Sequence, residues 1–291
     1  MQQFLLDVGY GFVTAAILAL SAVAFTLEYA VSRVANLAHG ELLTIGAFTA
    51  YLVQPHVGSV IIAAACAAGV GAVAGLLMNV AFIERFSRQP ALVTLIASLG
   101  VSLVLQNFMI MMFGASARAY TISQGAPHRY GPFQFTHAEL LVILSALVVA
   151  AGLYLLLQRT KFGKALRAVA NNRDLARASG IRARAVVAQT WLLAGAIAGF
   201  AGFVLAENVG AFSPSFGNGF LLITITAAVA GGLGRAYGTL LGALIVGLAL
   251  ELAGSYTNSS YELAFAFAIL VILMLTRPNG ILVRGTKTVI T

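Results

Sequence analysis

The run ALVTLIASLGVSLVLQNFMIMMF, residues 91–113, contains no charged side chain. A helix needs about 20 apolar residues to cross the ~30 Å hydrocarbon core of a bilayer, and it satisfies its backbone hydrogen bonds internally. Transmembrane β-strands would instead appear as alternating segments of about 10 residues, and this run does not alternate. It therefore predicts a membrane-spanning helix.

The rest of the chain has the same apolar character. Of its 291 residues, 60% are hydrophobic and 9% are charged, and the mean hydropathy is +0.95. Soluble domains carry roughly 25% charged residues, so this chain has too few to cover a water-facing surface. We expect an all-α fold: a polytopic integral membrane helical bundle that forms a single transmembrane domain over residues 1–291.

The hydrophobic segments suggest nine spans, and merging or splitting neighbouring segments would give eight or ten. Their expected bounds are roughly 9–31, 37–54, 58–82, 91–113, 138–158, 186–206, 219–234, 236–254 and 261–276. The second and seventh are short or glycine-rich. They are therefore candidates for broken or re-entrant helices rather than full spans.

Charge in the loops predicts the orientation. With the N-terminus outside and the C-terminus inside, 15 of the 17 Lys and Arg residues fall in inner loops, and only Arg118 and Arg129 fall outside. This is the excess of cytoplasmic cations typical of membrane proteins. The net charge of +8 is therefore attributed to inner loops rather than to nucleic-acid binding. The N-terminus lacks the basic region of a signal peptide, so we expect the first span to be retained in the cell inner membrane.

Motifs for catalysis are missing from the sequence. It has no G-x-x-x-x-G-K-[ST] phosphate loop, no H-E-x-x-H metal motif and no G-x-S-x-G elbow. The run GGLGRAYG, residues 231–238, joins two hydrophobic segments and lacks the strand–turn–helix setting of a dinucleotide site. The four histidines are dispersed. We therefore expect a chain that is not an enzyme and that binds no metal or cofactor.

Ionisable residues cluster around the start of the second segment. Glu28 lies near the inner end of the first segment, and Asn36, His39 and Glu41 open the second. Intramembrane ionisable groups are candidates for a transport pathway. Alternatively, all four lie at the inner interface, where Glu28 pairs with Arg33 and Glu41 complements a helix dipole. A second polar island, residues 208–218, would be either a broken helix lining a cavity or a simple outer turn.

Two loops are long. The outer loop, residues 114–137, contains Gly and Pro that interrupt regular structure, together with aromatic residues suited to the membrane interface. The inner loop, residues 159–185, is basic and rich in helix formers. Within it, Asn171 and Asn172 could start a short helix that Gly180 ends. This loop is either a docking surface or a solvated loop whose charges set the topology.

Glycines at four-residue spacing lie on one face of a helix and allow close helix contacts. The sequence contains four such pairs: Gly71–Gly75, Gly195–Gly199, Gly234–Gly238 and Gly238–Gly242. They indicate tight packing without indicating a function.

Three stretches together resemble the permeases of branched-chain amino-acid ABC importers, closer to the LivH type than to the LivM type. The first is NLAHGE, residues 36–41, and the second is KFGKALRAVANNRDLARASGI, residues 161–181. The third is the pair AAVAGGLGRAYGTLLGALIVG, residues 227–247, and RPNGILVRG, residues 277–285. The resemblance implies a type II-like importer permease that forms half of a translocation path for amino acids, most simply branched-chain or other hydrophobic ones.

The resemblance also implies partners and site residues. A second, LivM-like permease, two cytoplasmic ATPase subunits that bind the ATP, and a periplasmic or extracellular solute-binding protein would complete the importer within membrane lipid. A coupling helix would dock on the ATPase through Arg173, Asp174, Arg177, Ser179, Gly180 and Ile181. The translocation path would include Asn36, His39, Gly40, Glu41, Gly232 and Gly234. The outer loops 114–137 and 208–218 would receive the binding protein.

Two alternatives come from other classes. An ion-coupled secondary transporter of small polar solutes would use Glu28, Glu41 or Glu207 as its ion site, and a membrane enzyme would need catalytic residues clustered at one membrane face. Within the importer family, urea or short amides remain alternative substrates.

Overall fold

The computed structural model describes residues 2–86, 89–120, 127–130, 133–256, 261–276 and 280. Helices form nearly all of this part of the chain. Their bounds are α1 Gln2–Ser32, α2 His39–Val57, α3 Val60–Met78, α4 Glu84–Phe86, α5 Ala91–Phe113, α6 His137–Arg159, α7 Lys161–Asn171, α8 Arg173–Ala178, α9 Ala183–Val209, α10 Phe216–Gly231, α11 Ala236–Tyr256 and α12 Glu262–Thr276. A π-helical turn, Asn79–Ile83, joins α3 to α4 without a break.

Each of the nine hydrophobic segments forms a helix, which confirms the all-α expectation. Six helices are long and apolar enough to cross a membrane: α1, α3 with its continuation to Phe86, α5, α6, α9 and α11. Of the remaining three, α10 and α12 are short apolar helices, and α2 does not meet the same criterion. At 1.5 Å per residue, the 16 residues of α10 extend only ~24 Å. The second and seventh segments are thus among the three that fall short, and the number of full spans stays a prediction.

Helices α1 and α9 lie at the centre of the bundle. Within the most apolar windows of these two helices, 67% and 61% of residues are buried, whereas the corresponding fraction for α5 is 17%. The outward faces of α3, α5 and α6 carry large apolar side chains, such as Ile61, Val104 and Leu147. Exposed apolar surface on this scale suits lipid or another membrane subunit.

Glycines bring α3 against α9 at backbone distance. A Cβ atom added at Gly199 would lie 2.3 Å from the carbonyl oxygen of Ala67, and one added at Gly75 would lie 2.7 Å from that of Trp191. The pairs Gly71–Gly75 and Gly195–Gly199 therefore act as predicted. The pair Gly234–Gly238 does not share a helix face, because α11 begins only at Ala236.

The outer loop contains short strands that the sequence did not predict. Strand β1, Arg118–Ala119, pairs with β4, Ala211–Phe212, and strand β2, His128–Tyr130, pairs with β3, Phe133–Phe135; both pairings are antiparallel. The β1–β4 pair joins the predicted outer loops 114–137 and 208–218 into one surface. Residues 121–126 and 131–132 of this loop lie outside the described part of the chain.

Candidate functional site

The chain reverses direction sharply after α1, and the first residues of α2 are buried inside the protein. Arg33, which follows α1, is the single non-glycine residue with positive φ among those described, at 59°. Its guanidinium group donates to the carbonyl oxygen of Ala170 at the end of α7. The Glu28–Arg33 ion pair of the interface alternative does not form, because this reversal turns Arg33 toward α7 while Glu28 points into the bundle.

Glu28 is instead bound by two residues of the second segment. Its Oε2 accepts a hydrogen bond from Asn36 Nδ2 at 2.7 Å, and its Oε1 lies 2.8 Å from His39 Nδ1. The side chains of Glu28 and His39 are 0% exposed, and Asn36 is 2% exposed. These residues do not form the Glu28–Arg33 pair that the interface alternative included, and their depth in the membrane stays a prediction. They form a buried polar cluster that fixes the start of α2 against α1.

This cluster continues toward α10. His39 Nε2 lies 3.5 Å from Ser21 Oγ, which in turn lies 2.8 Å from Thr224 Oγ1. Residues from α1, α2 and α10 thus share one chain of polar contacts. Sequence reasoning missed Ser21 and Thr224, because single hydroxyl residues inside apolar helices carry no distinctive pattern.

Glu41 makes a separate contact with α5. Ser102 Oγ donates to its Oε1 at 3.0 Å, while Glu41 Oε2 is buried without a hydrogen-bond partner in the described part of the chain. One turn earlier along α5, Ser98 Oγ accepts from the backbone N–H of Leu37 at 3.1 Å. Two serines spaced by four residues on one face of α5 therefore hold the beginning of α2.

The two short helices α2 and α10 meet at their N-terminal ends. A Cβ atom at Gly40 would lie 2.6 Å from the carbonyl oxygen of Gly217, and one at Gly217 would lie 2.1 Å from that of Gly40. Only glycine allows this approach. The sequence gives no sign that these two regions meet, so their direct contact emerges from the structure. Irregular backbone next to such helix ends is typical of transporters.

The inner loop contains two helices. Helix α7 is strongly amphipathic and buries Gly163, Leu166 and Val169 against the bundle. Helix α8 begins where expected: Asn172 Oδ1 accepts from the backbone N–H groups of Asp174 and Leu175 at 3.1 and 2.9 Å. Such side-chain acceptors satisfy the free N–H groups at a helix start.

Helix α8 projects its side chains outward. Leu175 is 65% exposed, and the side chains of Asp174 and Arg177 are exposed as well. After α8, Gly180 adopts φ 82° and ends the helix, leaving Ser179 and Gly180 exposed and Ile181 half-buried. An exposed leucine among charges on a short helix is suited to a protein partner. Sequence reasoning missed Leu175, because its exposure depends on the orientation of α8.

The turn between α10 and α11 contains the remaining predicted path residues. Gly232 and Gly234 adopt φ 97° and 82°, which other residues rarely adopt. Gly280 packs so closely on Gly232 that its added Cβ would lie 2.6 Å from Gly232 Cα, so two of the family-like motifs meet here. Apart from Gly280, residues 277–285 lie outside the described part. Gly234 also lines a cavity of about 360 Å³ at the inner end of α1.

On the predicted outer side, an aromatic cluster fixes the loops to the bundle. Tyr120 donates its hydroxyl to the carbonyl oxygen of Ala47 at 2.9 Å. Phe48 packs edge-on against Phe212 of β4, with ring centroids 5.2 Å apart. Burial raises the pKa of Tyr120 further above its ordinary value, in keeping with a neutral hydroxyl that donates to Ala47.

The predicted site residues thus fall into three groups. Asn36, His39, Gly40 and Glu41 share the buried start of α2; Gly232 and Gly234 lie at the α10–α11 turn; and the six coupling residues lie on or just after α8. Among the described residues, no three His, Cys, Asp or Glu side chains come together as metal ligands would.

Comparisons with known proteins show which family the chain resembles. The chain matches the family described as "Branched-chain amino acid transport system / permease component" over residues 8–274. It is 29% identical over 289 residues to the high-affinity branched-chain amino acid permease LivH of Salmonella typhimurium, covering 91% of each chain. It is likewise 29% identical to BraD of Pseudomonas aeruginosa over 286 residues, again covering 91% of each.

A solved structure shares the fold at low identity. PsaBC from Streptococcus pneumoniae, solved in complex with Fab, superposes with a TM-score of 0.50 at 12% identity, over 93% of this chain and 91% of that one. The named relatives are transport permeases, which agrees with the expectation of a transport subunit rather than an enzyme. The chain therefore belongs to the family of permease components of branched-chain amino acid transport systems.

Proposed function

We propose that this chain forms half of the translocation path of an ATP-driven importer for branched-chain or other hydrophobic amino acids in the cell inner membrane. The names of the relatives support the substrate class. The observation that carries the proposal is the outward-facing helix α8 on a chain whose sequence has no ATP-binding loop. An ATP-driven importer built on such a chain needs a separate ATPase subunit and a surface on the permease where that subunit binds.

Helix α8 is the proposed coupling helix. Leu175 would enter an apolar pocket of a cytoplasmic ATPase subunit, and Arg173 and Arg177 would pair with acidic residues around it. Buried apolar anchors carry most of the binding energy at such interfaces, while peripheral charges set orientation and rate. Two ATPase subunits would bind the ATP, and this chain would bind no cofactor.

Contacts from α8 lead toward the start of α2. Helix α7 directly precedes α8, and the carbonyl of Ala170 near its end holds the guanidinium of Arg33. Arg33 begins the reversal that ends at His39, where Glu28 and Asn36 complete the buried cluster. Movement of α8 would therefore reach the α2 start through α7 and this reversal.

The structure corresponds to a closed path in this proposal. Asn36, His39 and Glu41 are at most 2% exposed, and Gly40 is in contact with Gly217. The path would open beside these residues when α2 and α10 separate, with Gly232 and Gly234 at its inner end. On the outer side, the β1–β4 surface would receive the solute-binding protein.

A second permease would complete the path. The apolar outward faces of α3, α5 and α6 provide surface both for that subunit and for lipid. We propose a LivM-like chain as this partner. The family match does not support the alternative of an ion-coupled secondary transporter.

Charge reversal on α8 tests the proposal. Arg173→Glu with Arg177→Glu is expected to abolish co-purification of the ATPase subunits and ATP-dependent leucine uptake, while membrane insertion persists. Arg129→Glu, the same charge change on the exposed and predicted outer strand β2, is the control for ATPase association and is expected to leave co-purification of the ATPase subunits unchanged. Unchanged ATPase association in the double variant would contradict the coupling role of α8.

A further inference from the structure

A second inner cavity, of about 300 Å³, lies beside the reversal after α1. Its walls come from the end of α1, the π-helical turn, the α7–α8 junction and α9, and they include Arg33, Glu84, Arg173 and Trp191. This volume is at the lower end of the range for small-molecule sites. Trp191 is the ninth residue of α9, so the cavity reaches ~12 Å along that helix from its inner start.

Three unusual features converge on this cavity. The side chain of Trp191 is 0% exposed, and its Nε1–H has no hydrogen-bond partner among the described residues, although buried donors are nearly always bonded. Arg33 carries the positive φ noted above. Asn79 and Ile83 belong to the π-helical turn, a rare feature that is frequent at functional sites. The indole has no exposed surface in this structure, so a ligand that accepts its hydrogen bond would first displace the side chains that cover it.

The polar lining favours an anionic group on that ligand. Arg33 uses part of its guanidinium group on Ala170, but the group has five N–H donors in all. Arg173 adds a second guanidinium, and these groups bind carboxylates in paired hydrogen bonds. The acid at the rim, Glu84, lies 2.7 Å from the exposed Arg184. The two guanidinium groups in the lining therefore point to a ligand with negative charge.

The remaining lining is mixed. Its apolar part comprises Val31, Val34, Ile83, Val169 and Val187, together with Ala30, and its uncharged polar part comprises Ser32, Asn79, Gln89, Thr94 and Asn171. A ligand that fits this cavity would combine one anionic group with a short aliphatic body and a second polar group.

We propose that this cavity binds, from the cytoplasmic side, the carboxylate of a small hydrophobic amino acid. Arg33, Arg173 and the Trp191 indole hold the carboxylate, and the valines surround the side chain. The identity of the ligand rests on the proposed function. Because Arg173 is also the first residue of α8, an occupied cavity restrains the helix that docks on the ATPase, so accumulated product regulates its own import.

The single tryptophan of this chain makes the site measurable. Trp191 fluorescence of the purified full chain in detergent is expected to change saturably with L-leucine and to remain unchanged with L-leucinamide, which lacks the carboxylate. Arg33→Gln removes a charged hydrogen-bond donor and is expected to raise the Kd about tenfold or more. Lys164→Gln, at an exposed cation of α7 outside the cavity lining, is the matched control with unchanged Kd.

Other outcomes would overturn the proposal. Equal responses to leucine and leucinamide would exclude recognition of the carboxylate. A response to phosphatidylglycerol but not to leucine would assign the cavity to a lipid headgroup. Calorimetry on Trp191→Phe, which keeps an aromatic ring and removes the donor, is expected to show leucine binding weakened several-fold; unchanged affinity there would also contradict the proposal.

Uptake by the reconstituted complex separates this proposal from the proposed function. If the complex imports leucine with ATP but Trp191 fluorescence does not change at saturating leucine, the cavity proposal is wrong and the transport function stands. If leucine binds with the expected variant profile but ATP drives no uptake, the cavity proposal holds and the transport function is wrong.

Discussion

Removing the carboxylate of Glu28 is expected to destabilise the protein strongly. Glu28 accepts from Asn36 at 2.7 Å and contacts His39 at 2.8 Å, and none of these side chains is more than 2% exposed. Hydrogen bonds to charged groups contribute about 1.5–3 kcal/mol each. Breaking a buried pair costs about 3–5 kcal/mol in total. We therefore expect Glu28→Ala to lower the free energy of unfolding by about 3–5 kcal/mol.

Two further variants calibrate this value. Glu28→Gln keeps an acceptor for Asn36 and loses only the charge, so about 1–2 kcal/mol is expected. Glu84→Gln removes an acid of similar size from an ion pair with the exposed Arg184. Exposed pairs contribute about 0–1 kcal/mol, so this variant should behave nearly as the original chain does.

Equilibrium unfolding by sodium dodecyl sulfate in mixed micelles, followed by circular dichroism, would provide these free energies. The expected order of destabilisation is Glu28→Ala, then Glu28→Gln, then Glu84→Gln. A value for Glu28→Ala within about 1 kcal/mol of the unchanged chain would refute the reasoning, because a buried cluster bound as described could not lose its central acceptor so easily.

Three further predictions concern packing, the α2 start and the coupling helix. Gly199→Ala places a methyl group 2.3 Å from the Ala67 carbonyl and is expected to destabilise by about 1–3 kcal/mol in the same unfolding assay. Gly69→Ala is its control: Gly69 lies on α3, the helix that Gly199 of α9 approaches, but an added Cβ there has nothing within 4 Å. This variant should be neutral or stabilising by up to about 1 kcal/mol, and equal losses in both variants would contradict the close α3–α9 approach. Glu41→Gln keeps an acceptor for Ser102 and should leave unfolding nearly unchanged, while lowering leucine uptake in proteoliposomes; normal uptake and assembly would remove any functional role for its charge. Asn172→Ala removes the cap of α8, which contributes about 1 kcal/mol, and should weaken ATPase binding about fivefold in a titration, whereas wild-type affinity would show that the cap does not matter for docking.

The fold was largely predictable from local pattern. Apolar runs such as 91–113 match their helices, because a backbone in lipid must satisfy its hydrogen bonds internally and a helix does so. The short helix α8 was predictable as well, since Asn172 and Gly180 are local start and stop signals. The spacing of Gly71, Gly75, Gly195 and Gly199 correctly indicated close contacts, although it did not reveal which helices would meet.

The candidate site depends on contacts between distant residues, which a local sequence pattern does not reveal. One of the two alternatives left open by the sequence paired Glu28 with Arg33, five residues away, but the backbone of Arg33 turns its side chain toward α7. The meeting of Gly40 with Gly217 joins residues far apart in the chain. The unpaired indole of Trp191 and the exposure of Leu175 likewise arise from tertiary packing.

The central claim is that partner subunits drive transport through this chain. Its most direct test is gentle purification of a tagged chain from its native membrane, identification of the co-purifying proteins, and leucine uptake after reconstitution. We expect two ATPase subunits and a second permease, with uptake that requires ATP and the solute-binding protein. A chain that purifies alone and takes up solute with an ion gradient instead of ATP would contradict the account.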